Sequence, residues 1–186
     1  MYCCGPTVYN HSHLGHAISY IRCDMVNRTL RTFGNLNIYF AMNITDIDDK
    51  IIAKSKETET AYLELSNKYY QSFLSDMNSL RVIPADAYLK VTDKVDVICD
   101  YIRQIYDKGF AYYSPETGDV NFDYEKFIQS FGITNDMNSA RNLQTTKSKG
   151  KRSPKDFALW KISKENEPAW TMHLNTNSTI KGRPGV

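Results

Sequence analysis

Long hydrophobic runs are absent from this 186-residue chain, and no apolar stretch approaches the roughly eighteen residues needed to span a bilayer. No charged-then-apolar leader opens it, so the expectation is a cytoplasmic protein with no membrane partner. Charge of one sign is lacking too: 23 Lys plus Arg against 21 Asp plus Glu leave +2, too balanced for bulk charge alone to announce a nucleic-acid partner. Cysteine is sparse, with four residues at 3, 4, 23 and 99. That excludes a disulfide scaffold and directs attention to metal or thiol chemistry in a reducing compartment. Hydrophobic residues at 41% and charged residues at 24% exclude collagen-like, coiled-coil and wholly disordered chains. The length suits one large domain or two small ones, able to bury about 70% of the unfolded surface.

The segment Met1 to Tyr9 is compact and mostly apolar, then meets Asn10 to His13 before a periodic stretch. This predicts a strand, a turn and a helix start. From Ala17 to Phe33, Ile18, Ile21, Met25, Val26, Leu30 and Phe33 recur at three- or four-residue steps and predict the buried face. Arg22, Asn27, Arg28 and Arg31 fill the other face, and Gly34 stops the helix. Leu36 to Met42 reads as a strand covered on both faces, completing a parallel βαβ unit. An acidic turn over Asn43 to Asp49 precedes a helix start at Lys50 to Lys56, and Tyr62, Leu65, Tyr69 and Phe73 mark another helix that ends before Pro84. Val95, Ile98, Ile102 and Ile105 predict a helix closed near Gly109. Phe110 to Tyr113 and Val120 to Tyr124 flank a turn and predict a hairpin. Ser130 to Arg152 is polar and aperiodic, which predicts a mobile loop. Order is expected again from residue 153 around Phe157, Trp160 and Trp170.

Chemistry concentrates near the start. Cys4-Gly5-Pro6-Thr7 falls at a strand end, the place where parallel sheets bind ligands. His13-Leu14-Gly15-His16 opens the following helix. A helix N-terminus carries partial positive charge and free N–H groups, and two imidazoles three residues apart can lean toward an anion there, with Gly15 leaving room. Phosphate is the natural guest. His-x-x-His at a helix start is also an ordinary surface or capping pair, and a lone cysteine is usually a small buried apolar residue. Asp46, Asp48 and Asp49 suggest a cation site or, as the preferred reading, carboxylates answering a helix dipole.

Cys4 to Tyr9, His13 to His16 and Met42 to Lys50 (Met-Asn-Ile-Thr-Asp-Ile-Asp-Asp-Lys) occur together in order. Three further blocks accompany them: Tyr20 to Asp24, Lys151 to Trp160, and Gly182 to Gly185. In these blocks the sequence resembles the cysteine–tRNA ligase family of class I aminoacyl-tRNA synthetases. The resemblance implies an α/β fold, a Rossmann-like (HUP-type) parallel sheet of which only the first half is present, with an inserted helical and hairpin connective region. The implied domains are 1–83 for the first half of the catalytic domain, 84–150 for the insertion and 151–186 for the return to the catalytic domain.

The implied reaction activates L-cysteine with ATP and transfers it to tRNA-Cys. His13 and His16 would bind the ATP phosphates as catalytic groups, with Mg²⁺ on the nucleotide. Thr7, Gly15, Ser19 and Asn43 would join them around the adenylate, and Gly5 and Thr45 around the cysteine. Cys4 matches the family's first zinc ligand, and an open position on Zn²⁺ prefers a substrate thiolate over the hydroxyl of serine. Turn, capping and helix hydroxyl roles are the plain alternatives for Thr7, Ser19, Asn43 and Thr45. Cys3 would face away from Cys4 on a strand. Trp160 and Trp170 suit core or substrate-wall positions, and the basic run Lys147 to Arg152 suits either tRNA phosphate or solvent.

The family's Trp-His-Ile-Glu-Cys, its later histidine and glutamate ligands and its Lys-Met-Ser-Lys-Ser loop have no match here. The expectation is therefore an N-terminal catalytic fragment, inactive alone. Two rivals stand beside it: a truncated non-catalytic paralogue that binds nucleotide or tRNA, and a relative of the ligase joining cysteine to a glucosaminyl-inositol. The sequence sets no oligomeric state.

Overall fold

The structure, a computed structural model, describes residues 1–132, 149–175 and 178–185. The chain divides into two compact units, Met1–Lys94 and Val95–Val186.

In the first unit β1 (Tyr2–Cys3), β2 (Ala41–Ile44) and β3 (Ala87–Lys90) form a parallel sheet in that order. Cys3 registers with Met42, and Met42 with Tyr88. Helix α1 (Leu14–Thr32) links β1 to β2, while α2 (Asp49–Glu57) and α3 (Tyr62–Ser79) link β2 to β3. This is the expected parallel α/β architecture. The core gathers Val8, Tyr20, Met42, Ile44, Leu65 and Phe73.

Strand positions differ from the sequence reading for identifiable reasons. β1 is only two residues long because Pro6 has no N–H to give and the Gly5 N–H goes to the Asn43 side chain at 3.1 Å. The two chains nevertheless stay side by side: Thr7 bridges Thr45 in parallel, with Val8 N–H donating to the Thr45 carbonyl at 3.1 Å. The strand expected over Leu36 to Met42 instead spans Ala41–Ile44. Leu36 and Tyr39 are exposed, and along β2 Met42 and Ile44 are buried while Ala41 and Asn43 are half-buried, so one face is covered more than the other. β3 falls inside the range expected to be insertion, yet it pairs with β2 in the first sheet.

The apolar stripe of helix α1 does not face the core, although Arg22 and Arg28 stay exposed as expected. Ile18, Ile21, Met25, Val26 and Phe33 are exposed, whereas Tyr20, Asp24 and Asn27 are buried. Hydrogen bonds hold the polar face inward. Asp24 accepts from the Ile83 N–H at 3.0 Å and from Arg28 at 2.7 Å, and Arg28 also donates to the Arg81 carbonyl at 2.7 Å. Arg31 donates to Asn27 Oδ1 and to the Ile38 carbonyl. Partnered polar groups are tolerated in the interior; on this face Asn27 Nδ2 is buried without a partner among the described residues.

The second unit has α4 (Val95–Asp107), with Val95, Cys99 and Ile102 buried. It closes at Gly109, whose φ of 75° is the left-handed conformation that glycine supplies. The predicted hairpin forms as β4 (Ala111–Tyr113) and β5 (Val120–Phe122). It belongs to a five-stranded antiparallel sheet with β6 (Phe157–Ile162), β7 (Trp170–Asn175) and β8 (Ser178–Pro184), in the order β4-β5-β6-β8-β7. Trp160 is fully buried in its core. A helix not foreseen, α5 (Tyr124–Phe131), starts at Asp123, which caps the Lys126 N–H, and stops at left-handed Gly132. It replaces the first residues of the expected mobile loop, most of which lies outside the described residues. No helix among the described residues is long and apolar enough to cross a membrane.

The two faces of α1 make a direct test. Asp24→Ala should cost about 2 kcal/mol by stranding the Ile83 N–H, while Ile21→Ser should change stability by no more than about 0.5 kcal/mol. Urea unfolding of both variants checks this, and the opposite ranking would mean that the apolar stripe is the packed face.

Candidate active site at the start of the first helix

The site residues come from three neighbouring pieces of the first unit: the chain after β1, the chain along and after β2, and the first turn of α1. Cys4, Gly5 and Thr7 run beside Asn43 and Thr45 at the carboxyl ends of the parallel strands, the position where α/β sheets bind ligands. A Cβ on Gly5 would sit 1.8 Å from the Asn43 carbonyl oxygen. The close approach this glycine permits is therefore to β2. Asn43 Oδ1 accepts from the Gly5 N–H and from the Tyr2 hydroxyl at 2.8 Å. Thr45 is buried and Thr7 half-buried.

His13 and His16 cap α1 reciprocally. Gly15 N–H donates to His13 Nδ1 at 3.0 Å, and His13 N–H donates to His16 Nδ1 at 3.2 Å. The rings lie 4.0 Å apart between centroids. A Cβ on Gly15 would meet the His13 ring at 2.9 Å, so the room this glycine leaves admits that ring. Because each Nδ1 accepts a hydrogen bond, each neutral ring carries its proton on Nε2. The pair thus offers two N–H donors at a helix end whose first turn contains no acidic residue, an arrangement that favours an anion. Ser19 Oγ donates to the Gly15 carbonyl at 2.9 Å, the helix hydroxyl role.

Tyr20 was singled out only as part of a block, yet it joins the two halves of the site. Its hydroxyl donates to the Cys4 carbonyl at 3.3 Å, and its ring stacks parallel to His16 at 6.4 Å. The available signal was its place four residues after His16 on the helix. Burial raises the Tyr20 pKa well above the usual phenol value, so the hydroxyl keeps its proton.

Cys4 is exposed, and its Sγ lies 3.9 Å from the Tyr2 hydroxyl. Cys3 is half-buried, and burial, followed by the Cys23 thiol, pushes its pKa up to about 12. It is a poor source of thiolate. Zinc needs about four donors, or three with substrate as the fourth. Among the described residues no group of three or more His, Cys, Asp and Glu side chains is placed to hold a metal ion. His173 belongs to the second unit, where it contacts Thr179 at 3.1 Å. This donor set alone does not fit zinc. The acidic turn is structural as preferred: Asp48 caps α2 through the Lys50 N–H, and buried Asp46 accepts from Thr92.

In the second unit, buried Asp156 accepts from the Tyr112 hydroxyl at 2.7 Å and from the Ser153 and Tyr124 N–H groups. Arg152 and Lys149 face the protein's own acids Asp123 and Glu116. Lys147 lies outside the described residues.

A family model described as tRNA synthetases class I (C) catalytic domain matches residues 1–186. The chain belongs to this family of class I (C) tRNA synthetases. It is 41% identical over 184 residues to a probable mitochondrial cysteine–tRNA ligase of Xenopus tropicalis, covering 99% of this chain and 31% of that protein. It is 41% identical over 189 residues to the cysteine–tRNA ligase of Methanococcus maripaludis strain C6, covering 100% and 38%. It is 40% identical over 196 residues to the cytoplasmic cysteine–tRNA ligase of Dictyostelium discoideum, covering 99% and 29%. The class I chain therefore spans between 29% and 38% of the length of these relatives.

The His16 imidazole is held below its ordinary value of 6.5, first by burial and then by the charge of His13. The unfolded chain takes up this proton more readily. The stability His16 carries is accordingly intact above about pH 6.5 and lost as pH falls through the lowered folded value. His16→Gln, which can still accept the cap hydrogen bond, should shrink the stability loss between about pH 7.5 and about pH 5. Denaturant titrations at both pH values measure it, and an equal loss in the variant would contradict this role.

Proposed function

We propose that this chain supplies the ATP- and cysteine-binding first part of a cysteine–tRNA ligase acting in the cytoplasm, with L-cysteine, ATP and tRNA-Cys as substrates. The single observation that carries the reading is the imidazole pair at an acid-free helix end, tied through Tyr20 to Cys4 at the parallel strand ends. In the proposed first step a cysteine carboxylate oxygen bonds to the α-phosphorus of ATP, the bond to the β-phosphate oxygen breaks, and pyrophosphate leaves. In the second, a hydroxyl of the terminal tRNA ribose attacks the cysteinyl carbonyl and AMP departs. Neither step needs a protein nucleophile, so the work is positioning and charge stabilisation.

His13 and His16 act through their Nε2–H donors on the phosphates as negative charge gathers on the leaving pyrophosphate, with Mg²⁺ arriving on ATP. The Gly15 N–H is committed to His13, so this glycine serves by letting the ring fold over it. Thr7, Asn43 and Ser19 border the adenylate, and Gly5 and Thr45 border the cysteine. Asn43 has its Oδ1 engaged and meets a ligand through its amide N–H₂. Cys4 is one zinc donor, with the remaining donors supplied from beyond the described residues. The exposed apolar face of α1 and the unpaired side of β1 suit a sheet that continues in a longer protein. The four free cysteines suit a reducing compartment.

Calorimetric titration with Mg²⁺–ATP tests the anion role: His13→Ala and His16→Ala should each weaken binding by about tenfold, the loss of one charge-assisted hydrogen bond. Unchanged affinity in both would contradict it. Cysteine-dependent exchange of pyrophosphate into ATP should be absent from the 186-residue chain and present when it is joined to the remainder of the Methanococcus maripaludis relative.

A further inference from the structure

Behind Tyr20 the first unit contains a cavity of about 210 Å³ between α1, α3, β2 and the chain leading to β3. Its floor is Tyr20, Met42, Phe73 and Met77, each no more than 5% exposed, and its rim carries exposed Asn78 and Pro84. We infer that this cavity is a binding site for one flat apolar ring system of benzene-to-indole size.

Volume sets the upper limit. Drug-sized ligands occupy pockets of roughly 300 to 1,000 Å³, whereas an apolar cavity on the order of 150 Å³ stays dry and takes benzene. Polarity disfavours an ordered water cluster, since a buried water needs two to four polar partners and the lining is mostly apolar. Each of the two hydroxyls on the wall already has one hydrogen bond: Tyr20 donates to the Cys4 carbonyl, and the Tyr88 hydroxyl accepts from the Ala85 N–H at 3.1 Å while keeping its own proton. Asn78 can offer a hydrogen bond only at the mouth, where it suits the N–H of an indole. Shape favours a ring: Tyr20 and Phe73 meet edge to face at 5.1 Å, leaving aromatic walls that accept a third ring in the offset or T-shaped geometries such groups prefer. Met42 and Met77 are unbranched and adjust to its outline. The site differs from the proposed nucleotide and cysteine positions and adjoins them through Tyr20 and through Met42, whose Cγ a Cβ on Gly5 would meet at 3.0 Å.

Indole is the probe, read by NMR on protein labelled at the methionine methyl groups. Met42 and Met77 line the cavity, while Met25 is exposed on α1 and Met172 is buried in the second unit. Saturable shifts at Met42 and Met77, with Met25 and Met172 unmoved, are the expected result. At indole tenfold above its Kd, the folded-to-unfolded ratio of the first unit should rise about elevenfold. Leu74→Trp, which fills the cavity from its wall, should weaken binding at least tenfold. Should that variant fail to fold, the methyl map of the unaltered protein decides alone. No saturation up to the solubility of indole overturns the inference, as does a shift confined to Met25.

Discussion

Two backbone N–H groups at the start of α1 each donate to an imidazole Nδ1, and the rest of the site depends on that exchange. It satisfies donors that a helix end otherwise leaves open. It also fixes the proton of both neutral rings on Nε2, where a ligand can use it. On the proposed reading the cap and the anion site are one device: the capping role and the binding role of His13 and His16, set against each other in the sequence, fall on opposite edges of the same rings. Gly15 belongs to this device because a side chain there would collide with His13. Tyr20 belongs to it because its ring packs beside His16 while its hydroxyl holds the Cys4 carbonyl.

The orientation of α1 explains how this end is held against the strands. Asp24 and Asn27 turn inward, and together with the more exposed Arg28 and Arg31 they fasten the helix to the chain at 81–83 and at Ile38. A binary reading of the helix assigns the apolar stripe to the core and errs because the Asp24 carboxylate and Asn27 Oδ1 are paired, which hydrophobic periodicity does not register. The same limit applied to β3. Ala87–Lys90 is short, carries a lysine and follows a proline, yet it completes the parallel sheet. The antiparallel strands at the end of the chain were more legible than the reading made them: Trp170, Met172 and Leu174 alternate at the strand period, and Met172 and Leu174 are buried. Local motifs were legible where spacing alone determines contact. His13 and His16 meet because a helix places i and i+3 together. Cys4 and Asn43 come near one another only through a parallel pairing 38 or more residues apart, which needed the βαβ inference.

Zinc marks the boundary of what this chain does by its own side chains. Cys4 is exposed and its neighbour Cys3 is not, in keeping with one outward thiol per strand position. A single thiol does not make a metal site, and the selectivity for sulfur over oxygen that an open zinc position would confer requires donors from elsewhere. The reciprocal cap at the start of α1 is made entirely by residues of this chain. Under the proposed function the two tasks draw on different donors: nucleotide contact on His13 and His16 with Thr7, Ser19 and Asn43, and cysteine discrimination on a zinc set to which Cys4 contributes one member.

The central claim is that the caps of α1 aim two Nε2–H donors at a phosphate. Long-range proton–nitrogen NMR of the imidazoles tests it most directly, recorded at neutral pH without and with Mg²⁺–ATP. The account predicts that both neutral rings carry hydrogen on Nε2 alone and that ATP perturbs the Nε2 signals of His13 and His16 while leaving His173 unmoved. Either ring found with its proton on Nδ1, or Nε2 signals indifferent to ATP, would contradict it.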